Sequence, residues 1–201
     1  DMRNLVQPNW YDVSFNLASL YIMQERFTNA LAAFDKVIKQ KPGDGKHLKP
    51  SIYNKVMILN QLDGQKKYPK LPKLGQIKKP MPIPPLKKQL ENAAIAFINL
   101  NPGAEEVPAM RYTIAFNYFS YGHYKIALKQ FEDLGTQLTK TPQGIAAIET
   151  LLGYHLETEH WPELIKLAKM YLANPQVKGK KIRAFIKEHL DYGTYKKGGG
   201  K

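Results

Sequence analysis

Residues Tyr11–Asp44 read YDVSFNLASLYIMQERFTNALAAFDKVIKQKPGD, and this stretch decides the fold. Leu17, Ala18 and Tyr21 fall at one helical spacing. Phe27, Ala30, Phe34 and Val37 recur at i, i+3, i+7 and i+10, the signature of a second amphipathic helix. Pro42 cannot continue that helix and closes the unit. Two helices joined by a few polar residues therefore form one hairpin.

The pattern returns downstream. Ile114, Ala115 and Tyr118 predict a first helix, and Tyr124, Ala127, Phe131 and Leu134 predict a second that Pro142 ends. Trp161 precedes Leu164 as Phe27 precedes Ala30, so a further, degenerate unit is expected from Gly144 to Pro175. There Leu151 and Leu152 fall in the first helix, and Ala168 stands where the phenylalanine would be. Another unit is split. Pro50–Leu62, with Tyr53, Val56 and Met57, predicts its first helix and Leu86–Leu100 its second. A last amphipathic helix, Lys180–Leu190, carries Ile182, Phe185, Ile186 and Leu190 on one face and suits the capping of an open end.

Read together, L-A-x2-Y, A-x3-F and P resemble the tetratricopeptide repeat, a helix–turn–helix unit of roughly 34 residues. The resemblance implies an all-α fold, a right-handed superhelix of stacked hairpins. Its units would be about 11–44, 50–102 with an insertion at 63–85, 108–142 and 144–175, in one domain spanning 1–190. Residues 191–201 would form a flexible tail. It also implies a protein-binding scaffold and no enzyme. First helices in this family line a concave groove that holds a partner peptide or protein. Carried over, the groove positions are Phe15, Asn16, Ser19 and Met23, then Asn54, Lys55 and Ile58, then Tyr112, Phe116 and Phe119, and Glu149, with packing on a neighbouring repeat the alternative for Phe116 and Phe119. Phe15 and Ser19 occupy places where some members hold the lysine and asparagine of a carboxylate clamp, which argues against that function here. The Trp161–Leu172 segment and the lysine-rich balance are similar to bacterial envelope repeat proteins, so a periplasmic or cell-envelope location is expected.

The insertion is the second informative region. Gln65–Lys88 holds eight lysines, six prolines and no acid. The prolines forbid a continuous helix and favour an extended, polyproline-like arm. Leu71, Leu74, Ile77, Met81 and Ile83 are spaced to pin it to the helical body. Lys66, Lys67, Lys70, Lys73, Lys78, Lys79, Lys87 and Lys88 form a candidate contact for an anionic surface. A basic module binding a surface or nucleic acid through this arm is the rival reading, as is a merely solvated loop. Lysine far outnumbers arginine, so nucleic-acid readout of bases is not expected.

Composition narrows the remainder. Thirty Lys plus Arg against seventeen Asp plus Glu give a net charge of +13, which favours acidic partners. The absence of cysteine excludes disulfides, thiolate metal sites and thiol nucleophiles. The longest uncharged apolar run, Asn92–Asn101, is far short of the roughly 18–20 residues of a membrane-spanning helix. Asp1 in place of methionine is expected of a processed or truncated chain, so a missing targeting signal carries no weight. Of the five histidines, His155 and His160 flank two glutamates, but their spacing does not put both on one helix face, and no metal or other cofactor is expected. No phosphate loop or nucleophile elbow occurs, since Gly43–His47 lacks the required spacing.

Overall fold

The computed structural model describes residues 10–40, 46–72, 77 and 79–200. Pro42, Leu74, Lys73 and Lys78 lie outside the described residues. Among the described residues the chain is all-helical, with no strand. It divides into two compact units, the first being Asp1–Tyr68 with Pro84–Ala104 and the second Pro69–Ile83 with Glu105–Lys201.

The first unit holds α1 (Trp10–Met23), α2 (Phe27–Gln40), α3 (Leu48–Gln65) and α4 (Pro85–Leu100). Each packs on its neighbour in sequence. Ala18, Ala30, Ala33, Phe34 and Ile58 make one apolar cluster, with Phe15, Tyr21 and Phe27 against it. Leu17 lies at the edge of this packing, 40% exposed, so Ala18 alone of α1 is fully buried. Beyond α3, Lys87 pairs with Asp63 at 2.6 Å, and both side chains are only 15% exposed. The Tyr68 hydroxyl donates to the same carboxylate at 2.5 Å, and the Lys87 ammonium also lies over the Tyr68 ring.

The second unit holds α5 (Val107–Ser120), α6 (Tyr124–Gln137), α7 (Pro142–Glu157), α8 (Trp161–Ala173) and α9 (Lys180–Lys197). Besides sequence neighbours, α5 touches α7, and α7 touches α9. Pro142 does more than close the preceding hairpin. It is the first residue of α7, where its fixed φ suits the first helical turn. The Thr141 hydroxyl caps that turn by accepting from the Gly144 N–H at 3.0 Å. Helix α9 runs past the expected Leu190 to Lys197, which corrects the reading of 191–197 as a flexible tail. Buried Gly193 lets α9 approach Leu164 and Ile165, and the Tyr192 ring meets Trp161 at 5.9 Å.

Three hairpins share one turn. Glu25, Gly122 and Glu159 all adopt positive φ, at 56°, 78° and 57°. The next residue's N–H then donates back to Tyr21, Tyr118 and His155 respectively, at 2.8, 2.9 and 2.9 Å. Such a left-handed residue ends one helix and reverses the chain within a few positions. The buried sets correspond as well. Ala18, Ala115 and Leu152 are each 0% exposed, as are Ala30, Ala127 and Leu164, and Phe34, Phe131 and Ala168. The last hairpin keeps its core filled by exchanging sizes: leucines replace two alanines, and an alanine replaces the phenylalanine.

Candidate functional site, an aromatic ledge on α5

Helix α5 presents Tyr112, Phe116 and Phe119 in a row, because positions four and three apart fall on one side. Tyr112 stacks on Phe116, centroids 6.1 Å apart and 15° between planes, and Phe116 stacks on Phe119 at 6.4 Å. Underneath, Phe119 meets Tyr124, Phe131 and Tyr154 edge-on at 5.5, 5.7 and 5.8 Å. Offset and edge-on contacts of this kind add roughly 0.5–1.5 kcal/mol each beyond burial. The Tyr112 hydroxyl sits 3.3 Å from Thr150 Oγ1, which itself donates to the Ala146 carbonyl, so the tyrosine is the donor.

The three ring positions are therefore unequal. Phe119 is wedged among four rings and is part of the packing. Phe116 is 47% exposed, at a place where the equivalent hairpin positions carry Ser19 and Gly153. Glu149 on α7 is exposed. Tyr154 completes the ring cluster, and its spacing in sequence had not marked it out.

Part of the insertion lies beside this ledge. Leu71, Pro72 and Ile77 join Phe116, Phe119, Ser120 and Tyr124 around a depression of about 180 Å³. The Met81 N–H donates to the Tyr121 carbonyl at 2.8 Å, and the His123 Nε2–H donates to the Met81 carbonyl at 2.9 Å. Glutamates hold the equivalent positive φ in the sibling turns, so Gly122 is needed for a different reason: a Cβ there would overlap Ile77. The arm is thus seated at Leu71, Pro72, Ile77 and Met81. Lys66, Lys67, Lys70 and Lys79 are exposed on it. Lys87 and Lys88 leave the candidate anionic set: Lys87 is paired with Asp63, and Lys88 lies 3.5 Å from Glu91.

In the first unit, Asn16 is exposed and Met23 is 81% exposed, while Asn54 is half-buried. Phe15 meets Phe34 edge-on at 5.7 Å, and the Ser19 hydroxyl donates to the Phe15 carbonyl. The Lys55 ammonium pairs with Asp35 at 2.5 Å. Ile58 is 3% exposed inside the core, so the assignment of Ile58 to a groove is corrected: α3 turns that side toward α2.

His155 occupies the place of Tyr21 and Tyr118, and the hairpin turn brings its ring 5.9 Å from that of His160. Among the described residues no three His, Asp or Glu side chains group as metal donors. Burial, and then the neighbouring His160, hold His155 below the ordinary imidazole range. The neutral ring is the one that suits the fold. Its stabilising effect is full above about pH 6.5, the unfolded value, and is lost as pH falls through the lower folded value. We expect His155→Gln to flatten the acid side of the stability curve below about pH 6.5, read by urea denaturation at several pH values.

Compared with known proteins, the sequence matches no protein-family model, and no curated protein matches it significantly.

Proposed function

We propose that the chain is a tetratricopeptide-type interaction scaffold, whose hairpins form one right-handed superhelical series and whose first helices line a concave groove for a partner peptide or protein. In this reading it serves a bacterial cell-envelope assembly and performs no chemistry. What supports the scaffold is the recurrence of one turn and one buried set in three hairpins. The observation that carries the binding surface is Phe116. A large ring stands 47% exposed between Tyr112 and Phe119, where sibling hairpins place serine or glycine. Exposed aromatic anchors supported by a fixed neighbour shell are the kind of residue that dominates interface energetics.

Phe116→Ala is the clean test, since Phe119 also holds the fold. Its stability should stay within about 1 kcal/mol of the native chain. Partner capture from native extract should fall about tenfold or more, the effect of losing roughly 1.4 kcal/mol or more at an interface hot spot. A photo-crosslinking residue at position 116 should label that partner directly. A folded Phe116→Ala chain that captures the same proteins with native affinity would remove the ledge from the site.

The exposed arm lysines support a second contact, with an anionic surface. Deleting Gln65–Lys88 would strip the seat described above, so charge removal is the better probe. Replacing Lys67, Lys70 and Lys79 by glutamine should weaken binding to anionic vesicles and lower its salt dependence, with partner capture retained.

A further inference from the structure

In a chain of net charge +13, the tip of the last hairpin is acidic. A cleft of about 380 Å³ opens between the α7–α8 turn and α9. Leu156, Glu157, Glu159 and Trp161 line one wall, and Glu188, His189 and Tyr192 the other. Trp161 and Tyr192 stand edge to face at 71°, forming an aromatic corner in a cleft that three glutamates also line. No lysine or arginine is among the described lining residues. Lys196 lies over the Tyr192 ring at 5.8 Å, so this ring already accepts one cation.

The preceding hairpin offers a comparison. Leu156, Glu157, Glu159 and Trp161 correspond to Phe119, Ser120, Gly122 and Tyr124. Those are the residues beside which the arm is seated in the preceding hairpin, through Leu71, Pro72 and Ile77. There the Tyr121 carbonyl accepts from the Met81 N–H, so the hairpin tip reads the backbone of an extended segment. Thr158 stands at the place of Tyr121. One tip is thus occupied by extended chain. The other is covered by α9 through Glu188, His189 and Tyr192, and the cleft left beside it has glutamates where the first tip has serine and glycine.

We propose that the cleft between the α7–α8 tip and α9 docks an extended, lysine-bearing peptide of a partner protein. Its backbone runs along the turn past the Thr158 carbonyl. A lysine ammonium sits against the Trp161–Tyr192 corner, within reach of Glu157, Glu159 and Glu188. Cations are drawn to aromatic faces, and carboxylates add charge-assisted hydrogen bonds. Charge selects the occupant, because the apolar arm residues of the first tip would leave three carboxylates unanswered. This site rests on the acidic and aromatic lining of the cleft and is independent of the α5 ledge.

The test uses the full chain with Trp10→Phe, so that Trp161 is the sole indole. The probe is a short labelled peptide of alternating lysine and proline, and the control peptide carries glutamine for lysine. Saturable binding with a change in Trp161 emission is expected for the lysine peptide only. Glu157→Gln with Glu188→Gln, both exposed, should weaken it about tenfold with an unchanged melting curve. The proposal is overturned if the lysine peptide fails to bind, if the glutamine peptide binds equally, or if the double variant binds as before. It is also overturned if the chain self-associates and the double variant abolishes that, since a second copy's arm would then be the occupant.

Discussion

Phe131→Ala should lower the stability of the second unit by about 3–5 kcal/mol. The side chain is 0% exposed and contacts the rings of Tyr112 and Phe119 at 5.6 and 5.7 Å. Truncation forfeits the transfer free energy of the ring and leaves a cavity in the closely packed cluster around it. The last hairpin suggests the rescue. Its Leu164 and Ala168 fill the places of Ala127 and Phe131, so adding Ala127→Leu to the truncated chain should recover part of the loss. Urea denaturation of the single and double variants measures both. A loss under about 1 kcal/mol for the single variant would mean the ring is not the keystone described here.

Asp63→Asn should cost about 2–3 kcal/mol. Removing one member of a fully buried pair costs roughly 3–5 kcal/mol, because the remaining charge is stranded. Here each side chain is 15% exposed, so water recovers part of that. The Tyr68 hydroxyl loses its anionic acceptor in the same step. Converting both members, Asp63→Leu with Lys87→Met, should come back close to native stability, since the pair's attraction and its desolvation nearly cancel. Denaturation of the full cycle separates these outcomes. Equal losses in the single and the joint variants would show that packing, not charge, governs this spot.

The hairpins were legible because A-x3-F and its turn are local signals. A small residue and a large one, four apart, put both on one helix face whatever the remaining chain does. Trp161 gave the degenerate unit away for the same reason, although Leu164 and Ala168 break the pattern. What was not legible depended on contacts between distant positions. Lys87 reads as one more cation in a basic run, and only the return of α4 beside α3 shows it facing Asp63. Ile58 and Phe119 look like surface positions by repeat phase, yet a neighbouring helix covers the first and Tyr124, Phe131 and Tyr154 surround the second. The acidic cleft escaped notice because Glu157, Glu159 and Glu188 are spread over two helices and a turn. The extension of α9 past Leu190 depends on a distant contact too, since Gly193 disfavours a helix by itself and is accounted for only by its close approach to Leu164.

The interleaving of the two units has a consequence for anyone who would divide the gene. Pro69–Ile83 belongs to the second unit but is written between α3 and α4 of the first. A fragment stopping after Ala104 carries this strap without the helices that receive it, and one starting at Glu105 bares the Gly122 tip that it covers. During synthesis the strap leaves the ribosome before α5 and α6 exist, and must wait for them. Neither half is a natural product of a single cut, and a faithful dissection requires circular permutation or co-expression.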